Sequence, residues 1–400
     1  MRYSTDEQWL VPHFEKMLYD NALIISWLST IYAYQPQPIF YQRVQETVQW
    51  LKNEMLLADN VFASSLDADS EGEEGKYYVW SFTELQAVLG DKAEAFLHYY
   101  GGSKSGNWEG KNILHRNHQQ ESELSEEKIN VLKKQLLAVR QKRQPPECDD
   151  KVLLDWNALL IAALAKASLI FNEADWLVLA ENCYFALQKL LRNEEAKIWY
   201  HCYRDCQAKH VAVLEDYAYI IQAAIQLYSV TANESYLMDA EKWLEELEEL
   251  FLDKNNFLYN QTANLKQEKI NIIAEMQPIT DNATPSGNGV MVLNLMHLGL
   301  ITHKQGYLQR AEKIMSVLQP ILATDQAWQL SSFSQASAWY YKGVKLEADW
   351  REKLEDFATV VDGGFKPHWL LVQKNNQPKI NCCNREMCFA VVDDINEIEQ

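Results

Sequence analysis

The sequence lacks most of the short motifs by which enzymes are classified. Its 400 residues contain no Gly-rich phosphate loop, no Gly-x-Ser-x-Gly nucleophile elbow and no His-Glu-x-x-His zinc motif. None of the seven cysteines forms a Cys-x-x-Cys pair, so the common dithiol redox motif is also missing. The features of the sequence that indicate a function are therefore its repeats and its clusters of polar residues.

Basic residues are scarce, with 37 Lys and Arg against 56 Asp and Glu and a formal net charge of -19. Such a chain repels phosphate backbones and anionic lipid headgroups, so we expect no nucleic-acid and no membrane partner. The apolar run between Asp155 and Lys166 is too short to span a bilayer. With no recognisable secretory signal and an odd number of cysteines, a cytoplasmic location with reduced thiols is predicted.

The hydrophobic pattern predicts pairs of helices, the first apolar nearly all round and the second striped. The predicted pairs are 17–34 with 41–57, 155–171 with 174–192, 211–230 with 234–251, and 286–302 with 307–322, followed by 330–342. A less clear pair lies between 82–100 and 125–143. About six pairs predict an all-α fold, an (α/α)6 toroid of six hairpins with long loops on one face and short β segments. We expect one domain over 1–400, with 343–400 as a cap-like extension.

The apolar helices begin with similar polar residues, which predicts a polar mouth on the ring. Asp216 is a candidate catalytic residue there. The candidate ligand-binding residues at these helix starts are Tyr19, Asn21, Trp156, Asn157, Tyr217, Ser286 and Asn288. Acids and amides in a first helical turn also cap free backbone amides, so a purely structural role is an equal alternative.

An acidic segment from Asp67 to Trp80 carries five carboxylates within eight residues. Crowded carboxylates raise one another's pKa, so Asp67 and Asp69 are candidate catalytic acids or bases, with Glu71, Glu74 and Trp80 as ligand-binding residues. The spacing does not fit an EF-hand, although alternating aspartates suit a hard cation. A solvated acidic loop is the alternative.

Two histidines are the remaining catalytic candidates, because imidazole transfers protons near neutral pH. They are His13, before the first helix, and His115, at the end of an aromatic and amide-rich loop. In that loop an indole ring can stack on a sugar face while polar side chains bind hydroxyls. The ligand-binding candidates there are Asn107, Trp108, Glu109 and Asn112, to which we add Arg2.

Cysteine and histidine also cluster at 201–210, but we assign no metal and no cofactor. His201, Cys202, Cys206 and His210 match no standard structural zinc spacing. Three further cysteines near the end of the chain allow a disulfide, a metal site or a group of surface thiols; they are Cys382, Cys383 and Cys388.

Several ordered motifs together resemble the helical part of the thioredoxin-domain-containing, spermatogenesis-associated protein 20-like family. They are Arg2-Tyr3-Ser4, residues 11–22, 67–72 and 107–115, Asp149-Asp150-Lys151 with Trp156-Asn157, Glu215-Asp216-Tyr217-Ala218 and Pro285-Ser286-Gly287-Asn288. The resemblance implies a six-hairpin toroid similar to N-acylglucosamine 2-epimerases and six-hairpin glycosidases. Family members usually carry an upstream thioredoxin-like domain, which we expect to be absent here, so a separate thioredoxin-like protein is a possible partner.

Three functions stay open on the sequence. The first is acid–base chemistry on a small sugar by an epimerase or isomerase, with His13 or His115 exchanging a proton next to a carbonyl. The second is glycoside hydrolysis by two carboxylates. The third is a non-catalytic binding or scaffold module that works with a thioredoxin-like partner.

Overall fold

The computed structural model describes residues 3–116, 123–264, 276–325, 327–350, 366–393 and 395–398. Contacts within the chain divide it into two compact units. The first unit consists of Met1–Asp20 and Ser64–Asp149, and the second of Asn21–Ala63 and Asp150–Gln400. The prediction of one domain over 1–400 stays a prediction.

The second unit consists mainly of helices, and the first unit contains α3, α4 and α5, whose bounds are given below. In chain order they are α1 Leu18–Tyr34, α2 Pro38–Glu54, α3 Phe82–Leu89, α4 Ala93–Tyr99, α5 Glu126–Arg140, α6 Leu154–Phe171, α7 Ala174–Leu191, α8 Leu214–Thr231, α9 Glu234–Phe251, α10 Gly287–Thr302, α11 Gln305–Leu322 and α12 Ser331–Lys342. The predicted helices of the clear pairs agree with these bounds to within a few residues, because their apolar patterns are long and regular. The less clear helix 82–100 is divided into α3 and α4.

Strands are short except near His201 and in the C-terminal part. They are β1 Lys16–Met17, β2 Ser65–Leu66, β3 Asp69–Ser70, β4 Glu73–Glu74, β5 Cys148–Asp149, β6 Val152–Leu153, β7 Arg192–Asn193, β8 Ile198–Arg204, β9 Gln207–Val211, β10 Val344–Ala348, β11 Trp369–Gln373, β12 Ile380–Cys383 and β13 Cys388–Val392. With these sheets present, the all-α class is not confirmed.

In the second unit, the apolar helices pack side by side in the order α6, α8, α10 and α12. Each of α6, α8 and α10 also packs against the striped helix that follows it. Burial explains why the two kinds of helix differ in composition. Helix α6 is covered on nearly every side, whereas α9 buries one face that includes Leu244 and Leu247. A helix enclosed by neighbours needs apolar residues all round, and an outer helix needs only a stripe.

The connection from each apolar helix to its striped partner is the same in three hairpins. The residue after the apolar helix has a left-handed conformation, at Asn172 (φ 54°), Ala232 (φ 57°) and His303 (φ 58°). The next helix begins two residues later in every case. This reversal ends one helix and starts the next without a long loop.

The C-terminal strands form a four-stranded sheet in the order β11-β10-β12-β13. Strand β11 is parallel to β10, and the other neighbours are antiparallel. Of the three possibilities for the C-terminal cysteines, the structure has a disulfide between Cys383 and Cys388, while Cys382 is a buried free thiol.

In the first unit, α3, α4 and α5 surround an apolar core that includes Trp80 and Phe96. The guanidinium of Arg143 lies 4.0 Å from the ring centroid of Trp80 and donates a hydrogen bond to the carbonyl of Val79. The less clear helix pair of the sequence therefore lies in this unit, and does not extend the series of the second unit.

Among the described residues, α6 is long and apolar enough to cross a membrane by length and composition. Its uncharged stretch alone is too short, but the helix reaches 18 residues when Asp155 and Lys166 are included. Since 78% of this window is buried inside the structure, the apolar composition is that of a helix covered by protein.

Ala232→Gly should raise the free energy of unfolding by about 0.5–1 kcal/mol. An alanine in the left-handed region costs roughly 1–2 kcal/mol, which glycine avoids at a smaller entropic cost. The matched control is Asn172→Gly at the equivalent turn, where the gain should be smaller because asparagine tolerates this conformation. Urea unfolding of both variants measures the difference, and an equal or larger gain at Asn172 would contradict the explanation.

Candidate acid–base site of the second unit

A buried carboxylate, Asp216, lies at the centre of a polar cluster at the start of α8. Its side chain is fully buried, and its oxygens lie 2.9 and 3.0 Å from Nδ1 of His201 on β8. It also accepts hydrogen bonds from the backbone amides of Val213 (2.8 Å) and Asp155 (3.1 Å). The free amides of two helix starts and one imidazole thus stabilise a negative charge away from water.

Asp155 is the second carboxylate of the cluster, in the first turn of α6. It is 8% exposed, and it accepts a hydrogen bond from the amide of Trp156. Burial, followed by the charge of Asp216, raises the pKa of Asp155 to about 8. At neutral pH this side chain is therefore a carboxylic acid that retains its proton.

His201 responds in the way expected of a group paired with a buried carboxylate. Burial opposes its charge, but the hydrogen bond and the charge of Asp216, with the charges of Asp155 and Glu215, raise the pKa of His201 to about 9. The side chain is 30% exposed. His201 and Asp216 therefore form an imidazolium–carboxylate pair with one side open to solvent.

Glu215 is partly exposed and adjoins the cluster. Its Oε1 lies 3.4 Å from the amide of Gly287 at the start of α10. Burial raises its pKa. The group therefore combines a neutral acid, a carboxylate of increased basicity and a positively charged imidazole, which are the components of acid–base catalysis.

The same atoms are close enough together to surround a cation. Asp155, His201 and Asp216 each offer one ligand atom, and these atoms lie within 4.8 Å of one another. However, both oxygens of Asp216 already accept hydrogen bonds from backbone amides and from His201. The hydrogen bonds favour a proton-sharing cluster.

A cavity of about 460 Å³ lies between the apolar helices of this unit. Leu159, Ala163 and Lys166 of α6 and Gln222 and Gln226 of α8 contribute to its wall. Asp155 precedes Leu159 by four residues and Glu215 precedes Gln222 by seven, so each acid lies on the helix face that lines the cavity. Asp155 and Glu215 therefore share helix faces with residues of the cavity wall, although neither acid is itself part of that wall.

Two predicted ligand-binding amides, Asn157 and Asn288, bind the backbone. Asn157 exchanges hydrogen bonds with the amide and carbonyl of Phe62, at 2.8 and 3.0 Å. Asn288 does the same with Tyr259, at 2.9 and 2.9 Å. Both asparagines are fully buried. Each fastens the aromatic residue of the preceding loop to the next apolar helix.

The other predicted ligand-binding residues of this unit differ in burial and in contacts. Ser286 caps α10 by accepting a hydrogen bond from the amide of Gly289, and Tyr217 is fully buried against Phe251. Trp156 and Asn21 are half-buried. Of the predicted catalytic residues, only Asp216 belongs to the cluster with Asp155 and His201.

The predicted acidic segment forms an exposed hairpin of β3 and β4 in the first unit. The exposed carboxylates are Asp67, Asp69, Glu71 and Glu74. Lys76 forms ion pairs with Glu71 (3.5 Å) and Glu73 (2.8 Å). Solvated surface pairs of this kind contribute little energy, as the alternative interpretation of a solvated loop expects.

The predicted sugar-binding loop of the first unit uses its amides internally. Asn107 donates to the carbonyls of Gly101 and Ile113, and Oδ1 of Asn112 accepts from the amide of Ser103. The aromatic candidates of this unit pack inside it, while one acid faces solvent. Trp80 and Tyr19 are buried, Trp108 is half-buried against Phe14, and Glu109 is exposed.

The histidine candidates of the first unit are half-buried. His13 stacks on Tyr3 with ring centroids 5.0 Å apart, and His115 lies beside Gly101, where an added Cβ would meet its ring at 2.4 Å. Arg2 lies outside the described residues. The roles assigned to these residues stay predictions.

Sequence reasoning missed Asp155 and His201 as a pair with Asp216. The Leu-acid pattern at 154–155 and 214–215 was a usable signal for Asp155, since each acid opens an apolar helix. His201 gave a weaker signal: it was weighed only with the neighbouring cysteines, and its partner lies fifteen residues away on another element.

Asp155→Asn should become more stable relative to the unchanged chain as pH rises from 4.5 to 6.5. A raised pKa in the folded state favours folding at low pH, and this contribution is lost between the unfolded value near 4 and about 8. The contribution of His201 to stability is constant below pH 6.5, and that of Glu215 cancels because both proteins carry this residue. The expected relative gain is about 1–3 kcal/mol, measured by urea unfolding at each pH. Asp175→Asn, an exposed control, should give no trend, and an equal trend in both variants would contradict the assignment.

The comparisons with known proteins agree with the motifs. No protein-family model matches the chain. Human spermatogenesis-associated protein 20 is 26% identical over 347 residues, which cover 76% of this chain and 44% of that protein. The chain thus spans less than half the length of the curated relatives it matches.

Solved structures extend the comparison to the fold. A cellobiose 2-epimerase from Bacillus thermoamylovorans has a TM-score of 0.55 at 11% identity, covering 97% of this chain and 88% of that one. A sugar epimerase from a ruminal bacterium has a TM-score of 0.50 at 11% identity, covering 81% and 65%. At these identities the likeness concerns the fold alone, and it fits a helical toroid. The resemblance indicated by the motifs is confirmed: the chain is similar in sequence to spermatogenesis-associated protein 20, and its fold is like that of sugar 2-epimerases.

Proposed function

We propose that this protein performs acid–base chemistry on a small sugar, of the kind carried out by epimerases and isomerases. The observation that carries the proposal is the cluster of Asp155, His201 and Asp216, together with a cavity lined by later residues of α6 and α8, the helices on which both aspartates lie. The fold likeness to sugar epimerases supports the substrate class, since those proteins are named for acting on sugars. The closed (α/α)6 toroid predicted from the sequence, and a cytoplasmic location, belong to the same proposal.

In this proposal Asp155 and Glu215 transfer the protons. The carboxylic acid of Asp155 donates its proton to the carbonyl oxygen of an open-chain sugar, while the carboxylate of Glu215 removes the proton from the adjacent carbon. The isomer forms from the enediol when Glu215 returns the proton to the former carbonyl carbon and Asp155 takes the proton of the other hydroxyl. The epimer forms when the proton returns to the opposite face of the original carbon, with Asp155 taking back the proton that it donated. The pair of His201 and Asp216 acts as a positioning unit, because the imidazolium offsets the buried negative charge next to Asp155.

These acids replace the histidines that the sequence favoured. His13 and His115 belong to the first unit, whereas the cavity lies wholly within the second. Asp216 keeps a part in the site, but its buried oxygens are occupied by hydrogen bonds. We therefore propose a positioning role for Asp216.

Turnover of an aldose or ketose in deuterium oxide should place deuterium at the carbon next to the carbonyl, and Glu215→Gln should lower this exchange by roughly 10²-fold or more. Asp155→Asn should lower it by a similar factor, because the amide cannot donate the same proton. Mass spectrometry and proton NMR of a panel of monosaccharides and disaccharides measure the incorporation. The matched control is Asp175→Asn, an exposed carboxylate on α7, which should keep the full rate.

The same assay distinguishes the alternatives that the sequence left open. Cleavage of a disaccharide without deuterium at carbon would replace the proposal with glycoside hydrolysis by two carboxylates. Neither exchange nor cleavage with any sugar in the panel would overturn a catalytic role. The module would then be assigned to binding, with a thioredoxin-like protein as the partner to test.

A further inference from the structure

The wall of the cavity carries a positive charge that no described carboxylate pairs with. Lys166, in the second half of α6, lines the cavity and donates a hydrogen bond of 2.5 Å from Nζ to the hydroxyl of Thr30. Within the described part of the chain, no acidic side chain forms an ion pair with it. Burial lowers the pKa of Lys166 to about 8, so the amine is still mostly protonated at neutral pH.

The other polar groups near Lys166 are also suited to accepting a ligand with oxygen acceptors. Nε2 of His297 on α10 is buried and has no hydrogen-bond partner among the described residues. Burial, followed by the charge of Lys166, lowers the pKa of His297 to about 3, so the ring is neutral. Half-buried amides of Gln222 and Gln226 on α8 line the same space.

The acidic group of the lining does not neutralise Lys166. Of the described residues around the cavity, Asp281 is the one that carries a carboxylate. Both of its oxygens are occupied at the helix starts: Oδ1 accepts from the amide of Ser286 and Oδ2 from the amide of Ser332, each at 2.8 Å. The amine is thus the charge that stays open to a ligand.

The charge balance identifies the kind of anion. A buried charge without a partner is unfavourable, so a ligand that supplies the opposite charge is stabilised by binding there. One ammonium and one neutral imidazole match a carboxylate, which carries a single charge. A phosphate ester carries nearly two charges, which one ammonium does not neutralise.

We propose that the cavity binds a sugar acid, with its carboxylate at Lys166 and His297 and its hydroxyls at the glutamine amides. A volume of about 460 Å³ accommodates a ligand of monosaccharide or disaccharide size. The inference rests on the proposed function for the sugar part of the ligand, whereas the carboxylate preference rests on Lys166 itself.

Calorimetric titration with sodium D-glucuronate, D-glucose and glucose 6-phosphate tests the preference. The unchanged protein should bind glucuronate at least tenfold more tightly than glucose and more tightly than the phosphate ester. Lys166→Met, which keeps the length of the side chain without its charge, should abolish the preference for glucuronate. Lys166→Arg should keep it, and the exposed Lys189→Met is the matched control.

Each result has a definite consequence. Equal binding of glucuronate and glucose by the unchanged protein, or an unchanged preference in Lys166→Met with a normal melting temperature, overturns the sugar-acid site but leaves the proposed epimerase chemistry intact. Tighter binding of the phosphate ester overturns the choice of carboxylate. Loss of the preference in Lys166→Met alongside its retention in Lys166→Arg supports the site, even if Glu215→Gln has no effect on turnover.

Discussion

The hydrogen bonds of Asp216 hold the candidate site together. One buried carboxylate binds the first turn of its own helix, the first turn of α6 and an imidazole on β8. The starts of α6 and α8 and strand β8 therefore meet at the carboxylate of Asp216. Removing this carboxylate would leave the amides of Asp155 and Val213 without partners, at a cost of about 1–3 kcal/mol each. The acidity of Asp155 and the charge of His201 both depend on it, because each pKa is shifted in part by the negative charge of Asp216.

The helices could be predicted from the sequence because their cause is local. An apolar helix such as α10 and a striped helix such as α9 differ in composition at every turn, so periodicity alone separates them. The pair around 82–143 was also found as helices, but its place in a separate unit depends on contacts that no local pattern encodes. The all-α prediction allowed for short β segments, which the two-residue strands are, but it did not anticipate the two four-stranded sheets.

The site was predicted less well, since the same residue types serve ligands and backbone alike. Asn157 and Asn288 have the polarity of ligand-binding residues, but each is occupied by the peptide groups of an aromatic residue in the preceding loop. Which amide side chain already has hydrogen-bond partners depends on residues far away in the sequence. Conversely, His201 drew attention for its neighbouring cysteines, while its strand pairing and its distance to Asp216 follow from tertiary structure.

The three aromatic residues of the loops between hairpins explain why so little of the polar mouth is free. The peptide groups of Phe62 and Tyr259 are bound by the side chains of Asn157 and Asn288. Trp199 is the buried aromatic residue that precedes α8, and in that helix Tyr217 occupies the position of the asparagine. All three aromatic side chains are fully buried. The helix starts therefore divide their polar residues between fixing the loops and forming the site.

Burial then acts in opposite directions at the two ends of the helix faces that line the cavity. At the helix starts it favours the neutral form of a carboxyl group and makes Asp155 an acid near neutral pH. Farther along α6, burial disfavours the charge on Lys166, but the amine stays protonated because its intrinsic pKa is higher. A neutral acid beside a basic carboxylate suits proton transfer, and an unneutralised amine suits the binding of an anion. In the proposed function, the same helices bind one end of the ligand by charge and transform the other end by proton exchange.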